Sequence, residues 1–289
     1  MKYDYLSKIR GMIRFTTKRK TINILEGRFS SVFRGRSLEF EDLKEYDFGD
    51  NVHDIDWKSS SRTGKTLIRR YVAEKKHNVL LAADTRPSML GDTPAGESKQ
   101  DLAAMICGTV AYLAGREGAD FSMAWCGEKG GVWNYFRSGE AHLERMLYEY
   151  RKTPPGASSL TLSELLQRSL DTIRKRMIIF IVTDLAGLAE LDEKLIRRMA
   201  DRHDVYIFRI RDASLFQKDA FDLGRGRYEN RFFSRFPFLR RLEEANKKAL
   251  LEAKEAALKK YRVRIVSIEK ETEILDRLEE LLRRSAERV

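Results

Sequence analysis

A short apolar run that ends on a carboxylate constrains the fold of this chain most. Residues Val79 to Ala83 are apolar without interruption, and Asp84, Arg86 and Ser88 follow within the sequence DTRPS. An unbroken run of this length is typical of a strand buried on both faces of a parallel sheet. Ligand crevices of open α/β sheets lie outside the carboxyl ends of such strands. We therefore expect any functional site of the chain to lie at Asp84.

A second apolar run, Met177 to Val182, also leads to an acid, Asp184. Amphipathic and apolar stretches alternate around the two runs, which predicts a doubly wound, mostly parallel α/β sheet with these two strands as neighbours. The glycine-punctuated region 28–74, with an alternating stretch from Thr66 to Val72, predicts a small β-containing layer packed against that sheet. We expect residues 1–77 to hold an N-terminal helix and this layer, and residues 78–289 to form the α/β domain.

The remaining elements follow from hydrophobic periodicity. Helices are predicted near 5–13, 101–115, 143–150, 158–173, 188–199, 239–261 and 274–282, and strands near 121–126, 131–137, 205–210 and 263–268.

Composition narrows the class of protein. Only two cysteines occur in 289 residues, and no apolar run approaches the ~20 residues of a membrane-spanning helix, so we expect a cytoplasmic protein without a membrane span. The net charge of +11 is mostly interleaved with acids on predicted helix faces. In the stretch Arg225 to Arg241, however, arginines alternate with aromatic residues, a pattern that can stack nucleic-acid bases or dock on a core.

The segment before the first strand carries a family signature. Its elements, in order, are Gly35-Arg36, Glu39-Phe40, Leu43-Lys44-Glu45-Tyr46, Gly49-Asp50, Ile55-Asp56-Trp57-Lys58, Ser61-Arg62, Leu67 and Glu74. This succession resembles the domain-of-unknown-function 58 family (DUF58), although His53 stands where the family usually has arginine. The resemblance implies a von Willebrand factor A-like, Rossmann-like fold and an association with MoxR-type AAA+ ATPases.

The same resemblance implies a place for a metal ion. Metal-binding von Willebrand A domains use a D-x-S-x-S loop, a threonine in a second loop and an aspartate after a later strand. The matching positions here are Asp84 and Ser88, Ser158 or Ser159, and Asp184, with Arg86 in place of a hydroxyl. A guanidinium can bridge two carboxylates, so an inward Arg86 is expected to neutralise the crevice and to exclude Mg²⁺ by charge repulsion. We expect no required cofactor and at most weak Mg²⁺ binding.

The segment from Gly35 to Lys58, together with the Asp84 loop, suggests a docking surface. Its aromatic residues exceed what a small layer needs, and exposed aromatics commonly anchor protein interfaces. The predicted interaction residues are Phe40, Tyr46, Phe48, Asp50, Asp56 and Trp57. Asp50, His53, Asp54 and Asp56 also allow a metallohydrolase reading, but Asp50 and Asp56 are expected to cap turns and to pair with Arg36, Arg62 or Lys58.

These observations predict a non-enzymatic interaction or adaptor module. The resemblance to the DUF58 family implies that its partner is a MoxR-type AAA+ ATPase and that its metal-ion-dependent adhesion site is degenerate. The four histidines fall outside the predicted crevice loops, so no nucleophile and base arrive together. The alternatives are a metal-dependent hydrolase or nuclease that uses Asp84 and Asp184, and a basic nucleic-acid-binding protein, which we do not favour.

Overall fold

The structure, a computed structural model, describes residues 4–17, 39–72, 77–213, 220–222, 227–229 and 237–283. Its helices are α1 (Tyr5–Thr17), α2 (Trp57–Thr63), α3 (Lys99–Arg116), α4 (Glu140–Lys152), α5 (Leu162–Thr172), α6 (Leu185–Glu190), α7 (Glu193–Arg202), α8 (Pro237–Lys260) and α9 (Ile274–Arg283). Its strands are β1 (Glu39–Glu45), β2 (Leu67–Val72), β3 (Asn78–Ala83), β4 (Asp120–Gly127), β5 (Gly130–Trp133), β6 (Ile178–Thr183), β7 (Asp204–Ile210), β8 (Ala220–Asp222), β9 (Arg227–Glu229) and β10 (Arg264–Ile268).

Six strands form the central sheet, in the order β10-β7-β6-β3-β4-β5. All neighbouring pairs are parallel except β4 with the edge strand β5. Strands β3 and β6 are neighbours, with Ala83 opposite Val182, which confirms the predicted pairing. The chain runs from β3 outward to β4 and returns to β6 on the other side of β3. The strand order therefore reverses between β3 and β6, where open α/β sheets place their ligand crevices.

Helices cover both faces of the sheet, which explains why its central strands are continuously apolar. Leu81, Phe180 and Phe208 pack on one face with residues of α1, α3, α4 and α9. Side chains one residue along each strand, such as Leu80 and Ile181, pack on the other face with α5, α6, α7 and α8. This arrangement confirms the predicted fold class, a doubly wound and mostly parallel α/β sheet.

Helix α1 packs into the core of the α/β domain. Its apolar residues Tyr5, Ile9 and Ile13 are buried in the same cluster as α3 and α4. Gly108 of α3 allows this contact, since a Cβ there would lie 2.7 Å from Cδ1 of Ile9. The predicted boundary near residue 77 stays a prediction, but this helix, which the sequence groups with the small layer, contributes to the larger core.

A small antiparallel sheet of β1 and β2 forms before the central sheet, and β2 matches the predicted strand from Thr66 to Val72. Its register shifts between Phe40 and Asp42. A second two-stranded sheet, β8 with β9, was not predicted. Packing of the β1–β2 layer against the central sheet stays a prediction.

Two helix predictions differ from the structure. The helix predicted over 158–173 begins at Leu162, because Thr161 and Glu164 form a capping box at its N-terminus. The stretch predicted as one helix over 188–199 is two, α6 and α7, because Asp192 caps a new helix by accepting from the Leu195 N–H. Within the described ranges, no helix is both long and apolar enough to span a bilayer.

Candidate functional site

The two strand-end aspartates lie side by side at the point where the strand order reverses. Asp84 is 2% exposed and Asp184 is fully buried. The Asp84 N–H donates to the carbonyl of Val182 at 2.9 Å, which extends the β3–β6 ladder by one residue. Neighbouring parallel strands in this register bring both carboxylates to one edge of the sheet, as the sequence predicts. We call this place the crevice.

Arg86 fills the space between the two carboxylates. Its Nη2 lies 2.8 Å from Oδ2 of Asp84 and 2.8 Å from Oδ1 of Asp184. Its Nη1 donates to Oε1 of Glu190 at 2.9 Å, and its backbone N–H donates to Oδ1 of Asp84 at 2.9 Å. Burial alone would lower the pKa of Arg86, but Asp84, Asp184 and Glu190 outweigh burial and raise it. The guanidinium is therefore held as a permanent cation in the crevice.

Lys99 brings a second buried cation from the first turn of α3. Its Nζ donates to Oδ2 of Asp184 at 3.2 Å and to the carbonyl of Ser88 at 3.2 Å, and it forms an ion pair with Asp212. Only 4% of Lys99 is exposed. Burial opposes the charge, but Asp212 and Asp184 together raise the pKa of the Lys99 ammonium.

The two cations keep Asp184 ionised despite its burial. Burial would raise the pKa of this carboxyl, whereas Lys99 and then Arg86 lower it, and the net direction is downward. The buried Ser88 hydroxyl faces Asp184 and adds to this effect, although it forms no hydrogen bond of regular geometry. The Gly187 N–H donates to Oδ1 of Asp184 at 3.0 Å, so the acid also caps α6.

The backbone of Gly187 lies close to the charged and polar side chains of the crevice. A Cβ at this position would lie 2.0 Å from Oγ1 of Thr183, 2.5 Å from Nη2 of Arg86 and 2.5 Å from Oδ2 of Asp84. The Thr183 hydroxyl itself donates to Oδ2 of Asp84 at 2.6 Å. Glycine at 187 therefore lets the first turn of α6 lie against the charged groups.

A row of polar side chains continues from the crevice along the carboxyl edge of the sheet. Thr183 of β6 stands opposite Arg209 of β7, and Arg209 stands opposite Ser267 of β10. Arg209 is largely buried and donates from Nε and Nη2 to the Ser267 hydroxyl, at 3.1 and 2.7 Å. Burial lowers the pKa of this guanidinium, and the nearby charge of Asp212 offsets part of that effect.

Ser158 is not brought into the crevice by a hydrogen bond. Within the described part of the chain, its hydroxyl accepts only from the Leu160 N–H, at 3.1 Å. The loop before it does reach the first loop, since the Gly156 N–H donates to the carbonyl of Thr85 at 2.6 Å. The hydroxyl that contacts Asp84 comes from Thr183, a residue in the strand rather than in the second loop.

Five residues of the crevice were not predicted from the sequence: Lys99, Thr183, Gly187, Glu190 and Asp212. One signal existed for Lys99. A cation in the first turn of a helix is opposed by the helix dipole by about 0.3–1 kcal/mol, which is a weak indication of nearby acids. The other four lie on elements whose exact ends set the contact, and no spacing in the sequence identifies them.

The predicted interaction segment forms an exposed loop. Its large apolar side chains protrude into solvent: Phe48 is 100% exposed, Trp57 71%, Val52 56% and Tyr46 37%. We call these four residues the apolar tip. Phe40 lies in β1 opposite Tyr71, and its side chain lies outside the described part of the structure.

Both ends of this loop are fixed to β2 and its preceding residue. The Tyr46 N–H donates to the carbonyl of Thr66, and the Asp56 N–H donates to the carbonyl of Leu67, each at 2.9 Å. Three residues of the apolar tip, Tyr46, Phe48 and Val52, therefore belong to a loop that is anchored at both ends, and the fourth, Trp57, begins α2 directly after the second anchor.

Asp50 and Asp56 bond turn backbone, as expected. Asp50 accepts from the Asp47 N–H at 3.0 Å, and Asp56 caps α2 by accepting from the Ser59 N–H at 3.0 Å. Of the predicted cationic partners, Arg36 lies outside the described residues, and the predictions of Arg62 and Lys58 were wrong. Within the described part of the chain, Lys44 pairs with Asp50 and Arg69 pairs with Asp56.

The metallohydrolase reading of this loop gains no geometric support. In the ranges that the structure covers, no group of three or more His, Cys, Asp or Glu side chains is arranged to hold a metal ion. The basic stretch Arg225 to Arg241 lies largely outside those ranges, apart from β9 and the start of α8.

The fold is that of an α/β protein with a mostly parallel, doubly wound sheet. Ion-paired side chains occupy the crevice where the strand order reverses. The family model described as "Protein of unknown function DUF58" matches residues 42–219, more than half of the chain. The chain belongs to the DUF58 family.

The chain is also similar to an uncharacterized protein and to several solved structures. An uncharacterized protein of Mycobacterium tuberculosis is 24% identical over 204 residues, which cover 69% of this chain and 63% of that protein. The chain thus spans less than two thirds of the curated relatives it matches. Among solved structures, a conserved hypothetical protein BatB from Bacteroides thetaiotaomicron is 11% identical with a TM-score of 0.46, covering 73% of this chain and 99% of that one. A von Willebrand factor type A protein from Catenulispora acidiphila is 13% identical with a TM-score of 0.40, covering 75% and 44%.

Proposed function

We propose that this protein is a non-enzymatic interaction module whose apolar tip docks on a partner protein, and that the partner is a MoxR-type AAA+ ATPase, as the family resemblance implies. The observation that carries the proposal is the apolar tip itself. Phe48 lies in solvent within a loop that is anchored at both ends, and Trp57 lies in solvent at the first residue of α2. Large apolar groups presented in this way are typical of interface anchors.

The anchored loop also favours binding energetically. A partner that covers the tip removes apolar area from water at about 25 cal/mol per Å². Because Asp50 and Asp56 already hold the turn backbone in place, little ordering entropy opposes the association. Binding of this kind needs no change in the central sheet.

Charge around the tip indicates the chemistry of the partner surface. Residues 46–58 contain four aspartates and one lysine, in a chain whose net charge is +11. Asp50 and Asp56 are already paired with Lys44 and Arg69, but within the described part of the chain the Asp47 carboxylate accepts only from the adjacent Phe48 N–H. The tip therefore suits an apolar pocket that is bordered by lysine or arginine side chains.

The crevice supports a non-catalytic role. Its acids are engaged by Arg86, Lys99 and Thr183 rather than open to a substrate. No histidine donates to or accepts from these acids in the described structure: His142 contacts the Phe121 carbonyl and His203 the Met177 N–H. A general base beside a free nucleophile is the arrangement that hydrolysis needs.

Affinity measurements with the full chain and the MoxR-type ATPase of the same organism test the proposal. We expect Trp57→Ala to weaken the complex by about 2 kcal/mol, about 30-fold in Kd. Tyr135→Ala is the matched control, since Tyr135 is an aromatic residue that is 81% exposed elsewhere on the surface. Equal affinity of the Trp57 variant and the native chain, with both folded, would contradict the assigned surface.

A further inference from the structure

We propose that Arg86 and Lys99 together take the place of a divalent cation in the crevice, so that its loops are held without metal. This inference does not depend on the identity of any partner. It rests on which atoms the carboxylate oxygens already contact.

Each carboxylate oxygen of Asp84 and Asp184 already accepts at least one hydrogen bond. On Asp84, Oδ1 accepts from the Arg86 N–H, and Oδ2 accepts from Arg86 Nη2 and the Thr183 hydroxyl. On Asp184, Oδ1 accepts from Arg86 Nη2 and the Gly187 N–H, and Oδ2 accepts from Lys99. The single atom Nη2 lies 2.8 Å from an oxygen of each acid, which is the bridging position a shared ion would need.

The residues present therefore do not fit Mg²⁺. This ion requires near-octahedral oxygen ligands, and it would have to displace two cationic groups that repel it at close range. Ser158, the second-loop hydroxyl of the expected ligand set, is bonded to the Leu160 N–H instead. Lys99 adds an obstacle that the sequence did not reveal, since removal of Arg86 alone leaves an ammonium on Asp184.

The two cations join the elements around the crevice. Arg86 ties the end of β3 to Asp184 and to Glu190 at the last residue of α6. Lys99 ties the start of α3 to Asp184 and to Asp212 beyond β7. A bound ion would hold the strand-end loops in the same manner, but these side chains belong to the chain and remain there at any metal concentration.

The crevice contains more carboxylates than cationic side chains. The proposal that Arg86 and Lys99 replace a metal ion can therefore be tested by removing one of them. Within the described residues, Asp84, Asp184, Glu190 and Asp212 form direct ion pairs with Arg86 and Lys99 alone. Loss of one cation leaves an acidic cavity with oxygen ligands, which is the environment that a hard divalent ion prefers. We expect cation deletion to create metal binding.

Calorimetric titration and thermal unfolding with Mg²⁺, Mn²⁺ and EDTA test the inference on the full chain. For the native protein we expect no binding heat and the same melting temperature in all three solutions. For Arg86→Ser we expect a lower melting temperature in EDTA, a rise on addition of Mn²⁺ and a measurable binding heat, with a larger response when Lys99→Gln is added. Arg198→Ser, which removes an exposed ion pair with Asp171, should unfold as the native chain does and gain no metal response.

Three results would overturn the proposal. They are metal binding by the native chain that Asp184→Ala abolishes, a folded Arg86→Ser variant without any response to Mn²⁺, and an Arg86→Ser variant that fails to fold even when Mn²⁺ is present. Recovery of folding by Mn²⁺ in that variant supports the proposal, because the ion then restores what the guanidinium supplied.

Discussion

Gly187 approaches Thr183 so closely that a Cβ added to the glycine would lie 2.0 Å from the threonine Oγ1. The same Cβ would lie 2.5 Å from Nη2 of Arg86 and 2.5 Å from Oδ2 of Asp84, so alanine at this position must move either the first turn of α6 or all three of these side-chain groups. We expect Gly187→Ala to destabilise the fold by about 1–3 kcal/mol, the usual cost of overpacking. Urea denaturation measures this change.

Gly11→Ala is the control for this prediction. Gly11 lies within α1, and no heavy atom comes within 4 Å of its added Cβ. Alanine there should stabilise the chain by about 0.5–1 kcal/mol, since glycine is unfavourable inside a helix. Equal stability of Gly187→Ala and the native chain would mean that α6 does not lie against the crevice as described.

Replacement of Lys99 by methionine should cost much more than the loss of an exposed ion pair. The change leaves the buried Asp184 carboxylate without one of its two cations, and breaking a buried pair typically costs about 3–5 kcal/mol. Lys8→Met removes an ion pair with Glu271 whose lysine side chain is 59% exposed, and should cost about 1 kcal/mol or less. Similar denaturation midpoints for the two variants would show that the Lys99 ion pairs add little to stability.

Protonation of His203 should make stability depend on pH in a defined window. Burial, with the nearby charges of Arg202 and Arg176, lowers the pKa of this histidine from 6.5 to about 4. The unfolded chain therefore binds a proton below pH 6.5 that the folded chain refuses until pH falls to about 4. The contribution of His203 to stability is complete above this window and is lost progressively as pH falls through it.

The variant His203→Gln tests whether His203 causes this loss of stability as pH falls. Glutamine does not titrate, and its side-chain oxygen retains an acceptor for the Met177 N–H, which donates to Nδ1 at 3.1 Å in the native chain. Unfolding free energies measured from pH 7 to pH 4 should decline less in the variant than in the native chain. Parallel declines would assign the pH dependence to other groups.

Acid unfolding below that window should depend on Asp184. Its lowered pKa means that the stability it contributes is present above the unfolded carboxyl pKa of about 3.9 and is lost as pH falls through the folded value. Asp184→Asn removes this titration, so its free energy of unfolding should be lower at neutral pH and flatter between pH 4 and acid. A variant curve that stays parallel to the native curve below pH 4 would contradict the ionised state of Asp184.

Much of the central sheet could be predicted, since strands buried on both faces are unbroken apolar runs. Val79 to Ala83 and Met177 to Val182 are such runs, and their register as neighbours brings Asp84 and Asp184 together. The ends of the helices were harder to predict from the sequence. Both α6 and α7 pack their apolar residues into the same core cluster, so the periodic pattern of apolar residues continues across the break at Asp192.

Of the two cations in the crevice, one could be predicted from the sequence and the other could not. Arg86 is close in sequence to Asp84, so a bridge between the two acids could be proposed from the loop alone. Lys99 lies on a helix that approaches Asp184 only in the folded chain, and a lysine at a helix start normally points into solvent. The exposure of Phe48 and Trp57 likewise depended on the loop geometry, because aromatic residues in a small layer are equally able to form its core.

Hydrogen exchange of the full chain, alone and with the MoxR-type ATPase, tests the proposed function most directly. We predict that binding slows exchange of backbone amides in residues 46–58 and leaves those of the exposed 133–135 region unchanged. The slowing should vanish in Phe48→Ser, whose side chain is fully exposed and whose loss leaves the anchored backbone intact. Protection confined to other surfaces, with residues 46–58 exchanging equally in the free and bound chain, would contradict the docking role of the apolar tip.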